Sequence, residues 1–384
     1  MATNDPDPVR SVYIHVPFCA HHCGYCNFSV IAQRLDLADE YLDAIAWEMD
    51  HLAGKCDNPI ELDTLYFGGG TPTQLSCDQL RRLFDITQTT FRLADDCEVT
   101  VEANPSDVHR AKIETLAELG VNRISLGAQS FEAAHLATLE RDHRAEQIAA
   151  AVQLARELGI RSIALDLIFG IPEQTLDQWQ QDLQEALALS PTHISTYGLT
   201  FETGAAFYSR LMRGELAQVE EESEREMYLS AIATLTTAGF EHYEVSNFAL
   251  PGRRSRHNEV YWTGRPYLAF GPDAARFVDG CRETNHRSVT TYLKRIRERK
   301  SPVHERECLP PEDAARERLV FSLRRLEGLN IDQFEQTVGL ELDALVGEAL
   351  RECEELELLQ RTDGRLRLTQ KGLLVSDSIW PLFL

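Results

Sequence analysis

The chain has 384 residues, enough for two domains or for one large domain with an appendage, and its 43% hydrophobic content is ordinary for a globular protein. Against 38 basic residues stand 61 acidic ones, a formal charge of −23, which argues against non-specific binding to nucleic acid or to anionic membrane. No apolar stretch approaches the roughly 20 residues that span a bilayer. The polar, acidic start Met1 to Pro8 reads as neither a secretory signal nor a transit peptide, so the expected location is the cytoplasm.

From Ser11 to about Phe248 short apolar runs alternate with longer amphipathic ones. The runs Val12–Val16, Thr64–Phe67, Glu98–Glu102, Arg123–Leu126, Ser162–Ile168, His193–Leu199 and Glu241–Val245 are predicted strands. Between them lie predicted helices over Leu37–His51, Cys77–Thr90, Val108–Leu119, Arg144–Leu158, Leu176–Leu189 and Glu220–Ala238. Gly120, Gly159 and Gly239 each follow a helix and precede a strand, as helix-ending glycines do. Near-continuous apolar strands joined by helical crossovers imply a parallel sheet covered on both faces. The expected fold is α/β, a complete or partial TIM-like (β/α) barrel over residues 1–250. Residues 251–310 read as a connecting segment rich in aromatic and basic residues. Pro310-Pro311 opens a third part, 311–384, where helical patterns precede a hairpin turning at Asp363-Gly364. That order suggests a small α+β, winged-helix-like module. Residues 312–384 hold 9 basic and 15 acidic residues, a balance of −6, which makes DNA reading a poor fit and packing or partner contact a better one.

The first strand leads into Cys19-Ala20-His21-His22-Cys23-Gly24-Tyr25-Cys26. Three thiolates this close can hold three irons of a cubane cluster, which leaves the fourth iron open to another ligand. An odd set of three is a poor disulfide framework, and no fourth Cys or His follows at zinc-ribbon or zinc-finger spacing, although structural zinc stays open at this level. The other six cysteines, Cys56, Cys77, Cys97, Cys281, Cys308 and Cys353, are scattered singly and read as core or surface residues.

Four later strand ends carry polar residues. The second ends in Gly68-Gly69-Gly70-Thr71-Pro72, where glycines let a ligand approach the backbone, or simply make a turn. The third ends at Glu102 in Glu102-Ala103-Asn104-Pro105, either a hydrogen-bond acceptor or an acid at a helix start. The fourth ends at Gln129, with Arg141 further on as a possible bidentate partner for a carboxylate. The fifth holds Asp166 inside an apolar strand, where an unpartnered carboxylate is costly, so it is expected to point into the barrel. The acidic run Glu220 to Glu222 reads as a solvated helix face.

Together these motifs resemble the oxygen-independent coproporphyrinogen III oxidase-like branch of the radical S-adenosylmethionine (SAM) superfamily. The resemblance rests on Tyr13 to Cys19, Cys23 to Phe28, and the GGGTP, EANP, GAQSF and DLIFGIP runs, in order from about residue 11 to residue 270. It implies a 4Fe–4S cluster on Cys19, Cys23 and Cys26. It also implies SAM contacts at Tyr13, Gly69, Gly70, Thr71, Glu102, Gln129, Arg141 and Asp166.

Within the branch the chain most resembles the heme-chaperone subgroup. The oxidase subgroup resembles CxxxCxxCxC, and here Phe28 stands at the further cysteine. The oxidase also carries a sizeable N-terminal extension that covers its substrate, against twelve residues ahead of Tyr13 here. His257-Asn258-Glu259-Val260-Tyr261-Trp262 matches the HNxxYW pattern of the chaperone subgroup, which implies heme binding with His257 as an expected ligand; by itself the segment also suits a barrel closure with a structural histidine. One departure is Ala275, where the subgroup often has His. The expected function is a chaperone that binds heme and transfers it to an acceptor protein, with an electron donor for the cluster, without nucleic acid, and with membrane contact only through the acceptor. The competing reading is oxidative decarboxylation of coproporphyrinogen III, and a weaker one is another radical SAM reaction such as methyl transfer.

Overall fold

The computed structural model describes residues 7–53 and 59–384. The expectation for Cys56 and most of the acidic start lie outside the described residues. The central sheet has nine strands: β1 Ser11–Val16, β2 Ile60–Gly69, β3 Phe91–Ala103, β4 Arg123–Gln129, β5 Ser162–Phe169, β6 His193–Gly198, β7 Glu241–Glu244, β8 Asn247–Ala249 and β9 Leu268–Phe270. Their order is β9-β1-β2-β3-β4-β5-β6-β8-β7. All pairs from β9 to β6 are parallel, while β8 pairs antiparallel with both β6 and β7. Among the described residues no ladder joins β9 to β7, so the barrel is partial.

The helices cover the outer face for the reasons the pattern gives. Helix Cys77–Thr90 starts at a capping box in which Ser76 and Gln79 satisfy each other's backbone N–H groups. It buries Leu80, Leu83, Phe84 and Thr87, one stripe of a 3.6-residue repeat. Thr175 and Gln178 cap Leu176–Ala188 in the same way. Trp179 of that helix is fully buried and donates its indole N–H to the Met227 carbonyl, 2.8 Å away, which ties it to helix Glu221–Thr237. Gly120, Gly159 and Gly239 all have φ between +85° and +90°, and end their helices as expected.

Two features of the strands were absent from the sequence reading. Glu241–Glu244 forms the expected strand, reached from β6 through helix Glu221–Thr237, but β8 is inserted between it and β6. Only Val245 and Ser246 separate it from β8, too few for a parallel connection, so the two form an antiparallel hairpin. Leu268–Phe270, unassigned in the sequence reading, pairs in parallel with β1. Residues 251–310 supply Leu268, Phe270, Val289, Tyr292, Leu293 and Ile296 to the barrel's own hydrophobic core. Glu48 helps anchor them. Its buried carboxylate accepts from Gly271 N–H, the Tyr292 hydroxyl and the Asn285 amide, at 3.0, 2.7 and 2.6 Å.

A second sheet runs β10 Ala275–Val278, β11 Cys281–Asn285 and β12 Val303–Cys308, all antiparallel. Here the reading of single cysteines is corrected: Cys281 and Cys308 form a disulfide. They are register partners on adjacent strands, a proximity that a separation of 27 residues hides in the sequence. Residues from Ala315 to Phe383 build a separate core. It contains the three-stranded sheet of β13 Leu329–Asn330, β14 Leu359–Thr362 and β15 Arg365–Leu368 in the order β13-β15-β14. The β14–β15 turn is Asp363-Gly364, both with positive φ, as a type I′ turn requires. Helices with this small hairpin sheet match the winged-helix-like expectation.

Two outcomes follow. Trp179→Ala should lose about 3–5 kcal/mol of stability by cavity formation, read by denaturant unfolding. Cys281→Ala should free the Cys308 thiol for alkylation, seen by mass spectrometry of the unreduced chain, without changing its capacity for an iron–sulfur cluster.

Candidate functional site: a cysteine-lined cavity at the strand ends

The C-terminal ends of the parallel strands open into a cavity of about 470 Å³. Its lining includes Cys19, Cys23, Cys26, Gly69, Gly70, Thr71, Glu102, Gln129, Arg141 and Asp166. The sheet thus brings together side chains separated by up to 147 residues of sequence, the span from Cys19 to Asp166. Tyr13 and His257 are the predicted site residues it does not place on this wall.

The cysteine loop is held from both sides. Phe18–Cys19 pairs with Ile31–Ala32, and Cys26 N–H donates to the Cys23 carbonyl at 3.0 Å. Glu140, which the sequence reading did not single out, ties down the middle. Its carboxylate accepts from Gly24 N–H at 2.9 Å, lies 3.2 Å from His21 Nε2 and pairs with Arg210 at 3.1 Å. Gly24 is needed there because a Cβ would lie 2.5 Å from the Phe207 ring. The signal in the sequence was only the neighbour of Arg141.

The donor set suits a cluster. Cys19 Sγ lies 3.6 Å from Thr71 Oγ1, and Arg141 Nη1 lies 3.8 Å from Cys23 Sγ. Burial pushes the Cys19 thiol up to about 12 and raises Cys23 and Cys26 as well, while Arg141 opposes the rise at Cys23. Such thiols become thiolates by exchanging their protons for a metal. Among the described residues no three His, Cys, Asp or Glu side chains converge on a single ion. Three cysteine thiols lining one cavity suit three irons of a cluster.

The rest of the wall is polar and preorganised. Gly69 has φ +100°, and a Cβ there would run into the His15 imidazole. A Cβ on Gly70 would lie 2.6 Å from the Val16 carbonyl oxygen. Glu102 accepts from the Tyr66 hydroxyl at 2.7 Å and from Gly69 N–H at 3.0 Å. Burial pushes its carboxyl up to about 7, against the lowering effect of the Tyr66 hydrogen bond. Asp166 accepts from the Ser125 hydroxyl at 3.1 Å and is likewise raised by burial. Gln129 sits at φ +63° beside a register shift in β4, backbone strain of the kind that collects at ligand sites. Arg141 donates to Asn104 Oδ1 and the Gly127 carbonyl at 3.1 and 3.0 Å. Arg123 was missed: it lies at the start of β4, is 2% exposed, lines the cavity and, among the described residues, leaves its Nε without a partner.

Two predicted site residues stand apart from this lining. Tyr13 packs against Tyr66 of this lining and lines a second cavity of about 650 Å³. His257 is 1% exposed, with Nδ1 2.8 Å from Thr64 Oγ1 and Nε2 2.8 Å from the Tyr261 hydroxyl. Both ring nitrogens are engaged, so neither is presented to an iron. Ala275 lines the second cavity together with Tyr261 and Trp262 of the same HNxxYW run.

The model of the Radical SAM superfamily matches residues 13–186, and that of the HemN C-terminal domain matches residues 309–375. The heme chaperone HemW of Bacillus subtilis (strain 168) is 35% identical over 377 residues, covering 98% of this chain and 99% of that protein. The chain belongs to the HemW family of radical SAM proteins. A further relative of the HemW-like chain is the mitochondrial radical S-adenosyl methionine domain-containing protein 1 of Danio rerio, 32% identical over 97% of this chain and 86% of that one. Among solved structures, the coproporphyrinogen III oxidase HemN of Escherichia coli superposes with a TM-score of 0.86 at 25% identity, covering 100% of this chain and 91% of that one. As a member of the HemW family the chain has the radical SAM fold, whose cofactors are a 4Fe–4S cluster and SAM.

A carboxylate that titrates near neutrality makes a pH prediction. As pH falls from 8 to 6, Glu102 takes up a proton and becomes a weaker acceptor, so SAM affinity of the cluster-loaded protein should fall. Glu102→Gln should bind more weakly and flatten this profile, and Glu102→Ala should cost roughly 1.5–3 kcal/mol, both read by calorimetry. In the same preparations Cys23→Ala should lose the cluster, read as iron and sulfide content and by EPR.

Proposed function

We propose that this protein is a heme chaperone: it binds a 4Fe–4S cluster and SAM in the cysteine-lined cavity, holds heme in the second cavity, and hands heme to an acceptor protein in the cytoplasm. The observation that carries this reading is the presence of two separate cavities of different chemistry. The cluster, when bound on Cys19, Cys23 and Cys26, supplies an electron and an open iron for the amino and carboxylate groups of SAM. This chain's own residues do the positioning. The Gly69–Gly70 backbone allows close approach, Glu102 and Asp166 accept from hydroxyls, and Arg141 offers a guanidinium beside the cysteines.

The second cavity suits a porphyrin. Its walls include Tyr261, Trp262, Tyr267, Phe277 and Phe321, aromatic faces that can pack on a macrocycle. Arg265 and Arg318 add cations for propionate carboxylates. The Trp262 indole N–H is buried and has no partner among the described residues. Among the described lining residues, Tyr13, Tyr261 and Tyr267 are the side chains whose oxygens could meet a heme iron. The module supplies one jaw, with Arg318 and Phe321 on helix Pro311–Leu323. In this reading an acceptor docks on the module and takes heme from the cavity beside it. No helix among the described residues is long and apolar enough to cross a membrane.

Phe28, at the position of the oxidase's further cysteine, is 65% exposed beside the cluster loop. It supports the chaperone over coproporphyrinogen decarboxylation. The purified, reconstituted protein should take up hemin with a distinct Soret band. Coproporphyrinogen III should persist in the presence of SAM and a low-potential reductant. Many turnovers to protoporphyrinogen IX, followed by fluorescence after oxidation, would replace the chaperone with the oxidase.

A further inference from the structure

A cluster of aromatic rings joins the linings of the two cavities: Tyr66 meets Tyr13 at 5.9 Å between centroids, and His257 contacts Tyr66, Tyr13 and Tyr261. On one side, Tyr66 lines the cysteine cavity and donates to Glu102. On the other, Tyr13 and Tyr261 line the second cavity. The His257 ring stacks on Tyr66 at 5.0 Å between centroids and 30° between planes, and meets Tyr13 at 6.3 Å. Its Nε2 is hydrogen-bonded to the Tyr261 hydroxyl, and its Nδ1 to Thr64 on β2, two residues before Tyr66. Burial pushes the imidazole down to about 3, so it is neutral, with one nitrogen donating and the other accepting. A single ring therefore fixes, by contact or hydrogen bond, wall residues of both cavities.

We propose that His257 is a positioning residue that couples the two cavities, so that SAM in the first alters heme affinity in the second, and heme alters SAM affinity by the same factor. This rests on the heme-chaperone reading. The physical route is short and contiguous. SAM contacts Glu102, Glu102 holds the Tyr66 hydroxyl, and Tyr66 packs on His257, which holds Tyr261 against the heme. Close packing lets such a layer transmit a small displacement instead of absorbing it. Thermodynamic linkage then requires the effect to be reciprocal. The arrangement gives SAM a role in a chaperone that needs no turnover: its occupancy sets whether heme is held or released.

The test uses the full-length, cluster-reconstituted protein. Hemin affinity is measured by Soret titration with and without saturating SAM, and SAM affinity by calorimetry with and without hemin. In the wild type each ligand should change the other's dissociation constant by about fivefold or more, by the same factor in both directions. In His257→Ala that factor should fall toward one. Tyr261→Phe removes only the hydroxyl that bonds Nε2, and should lower the factor in a chain that still folds. A residue important only for stability would weaken both ligands and leave the factor in place, and that result would overturn the proposal. A wild-type factor of one, with hemin bound, would overturn it also while sparing the chaperone reading. No hemin binding at all would overturn the reading and this inference together.

Discussion

The parallel pairing of β1 with β2 is the constraint on which both cavities depend. Its register runs from Ser11 opposite Thr64 to Val16 opposite Gly69. The ladder continues past the strands, with Gly70 N–H donating to the Val16 carbonyl at 2.9 Å and Thr71 N–H to the Phe18 carbonyl at 2.7 Å. These bonds seat the glycine loop against the base of the cysteine loop, within reach of Cys19. Val12, Ile14 and Val16 point to the core and are fully buried, so Tyr13 and His15 must point inward. A register slip of one residue would exchange the two sets and destroy both walls.

Burial then determines the chemistry. The barrel interior holds Glu102, Arg123, Asp166 and His257 largely out of water. Carboxylates in such a place rise toward neutrality, the imidazole stays neutral, and the thiols stay protonated until a metal takes the proton's place. Hydrogen bonds from Tyr66, Gly69 and Ser125 hold the carboxylates in fixed orientations, so that ligand binding needs little rearrangement. The same dryness holds His257 between Thr64 and Tyr261, because both its nitrogens need partners where water cannot supply them.

Much of this was legible in the sequence because it is local or periodic. The strand β5 and the helix Cys77–Thr90 follow directly from apolar pattern and caps. The cysteine loop and the strand-end residues carry spacing that one linear segment displays. What stayed hidden depends on tertiary position. Glu140 latches Gly24 across 116 residues, and Cys281 meets Cys308 only after β11 and β12 pair in register. β9 is three residues long, too short for a periodic signal, and joins the sheet because β1 offers an open edge. The direction of Tyr13 and the enclosure of His257 are properties of side-chain packing that a motif cannot encode.

The central claim is that cluster and heme occupy different cavities of one chain. The direct measurement is anomalous diffraction at the iron edge from crystals grown anaerobically with reconstituted cluster and hemin. The account predicts two separate iron features, one ringed by Cys19, Cys23 and Cys26, the other in the second cavity near Arg265 and Arg318. Heme iron within the cysteine-lined cavity, or bound at His257, would contradict it.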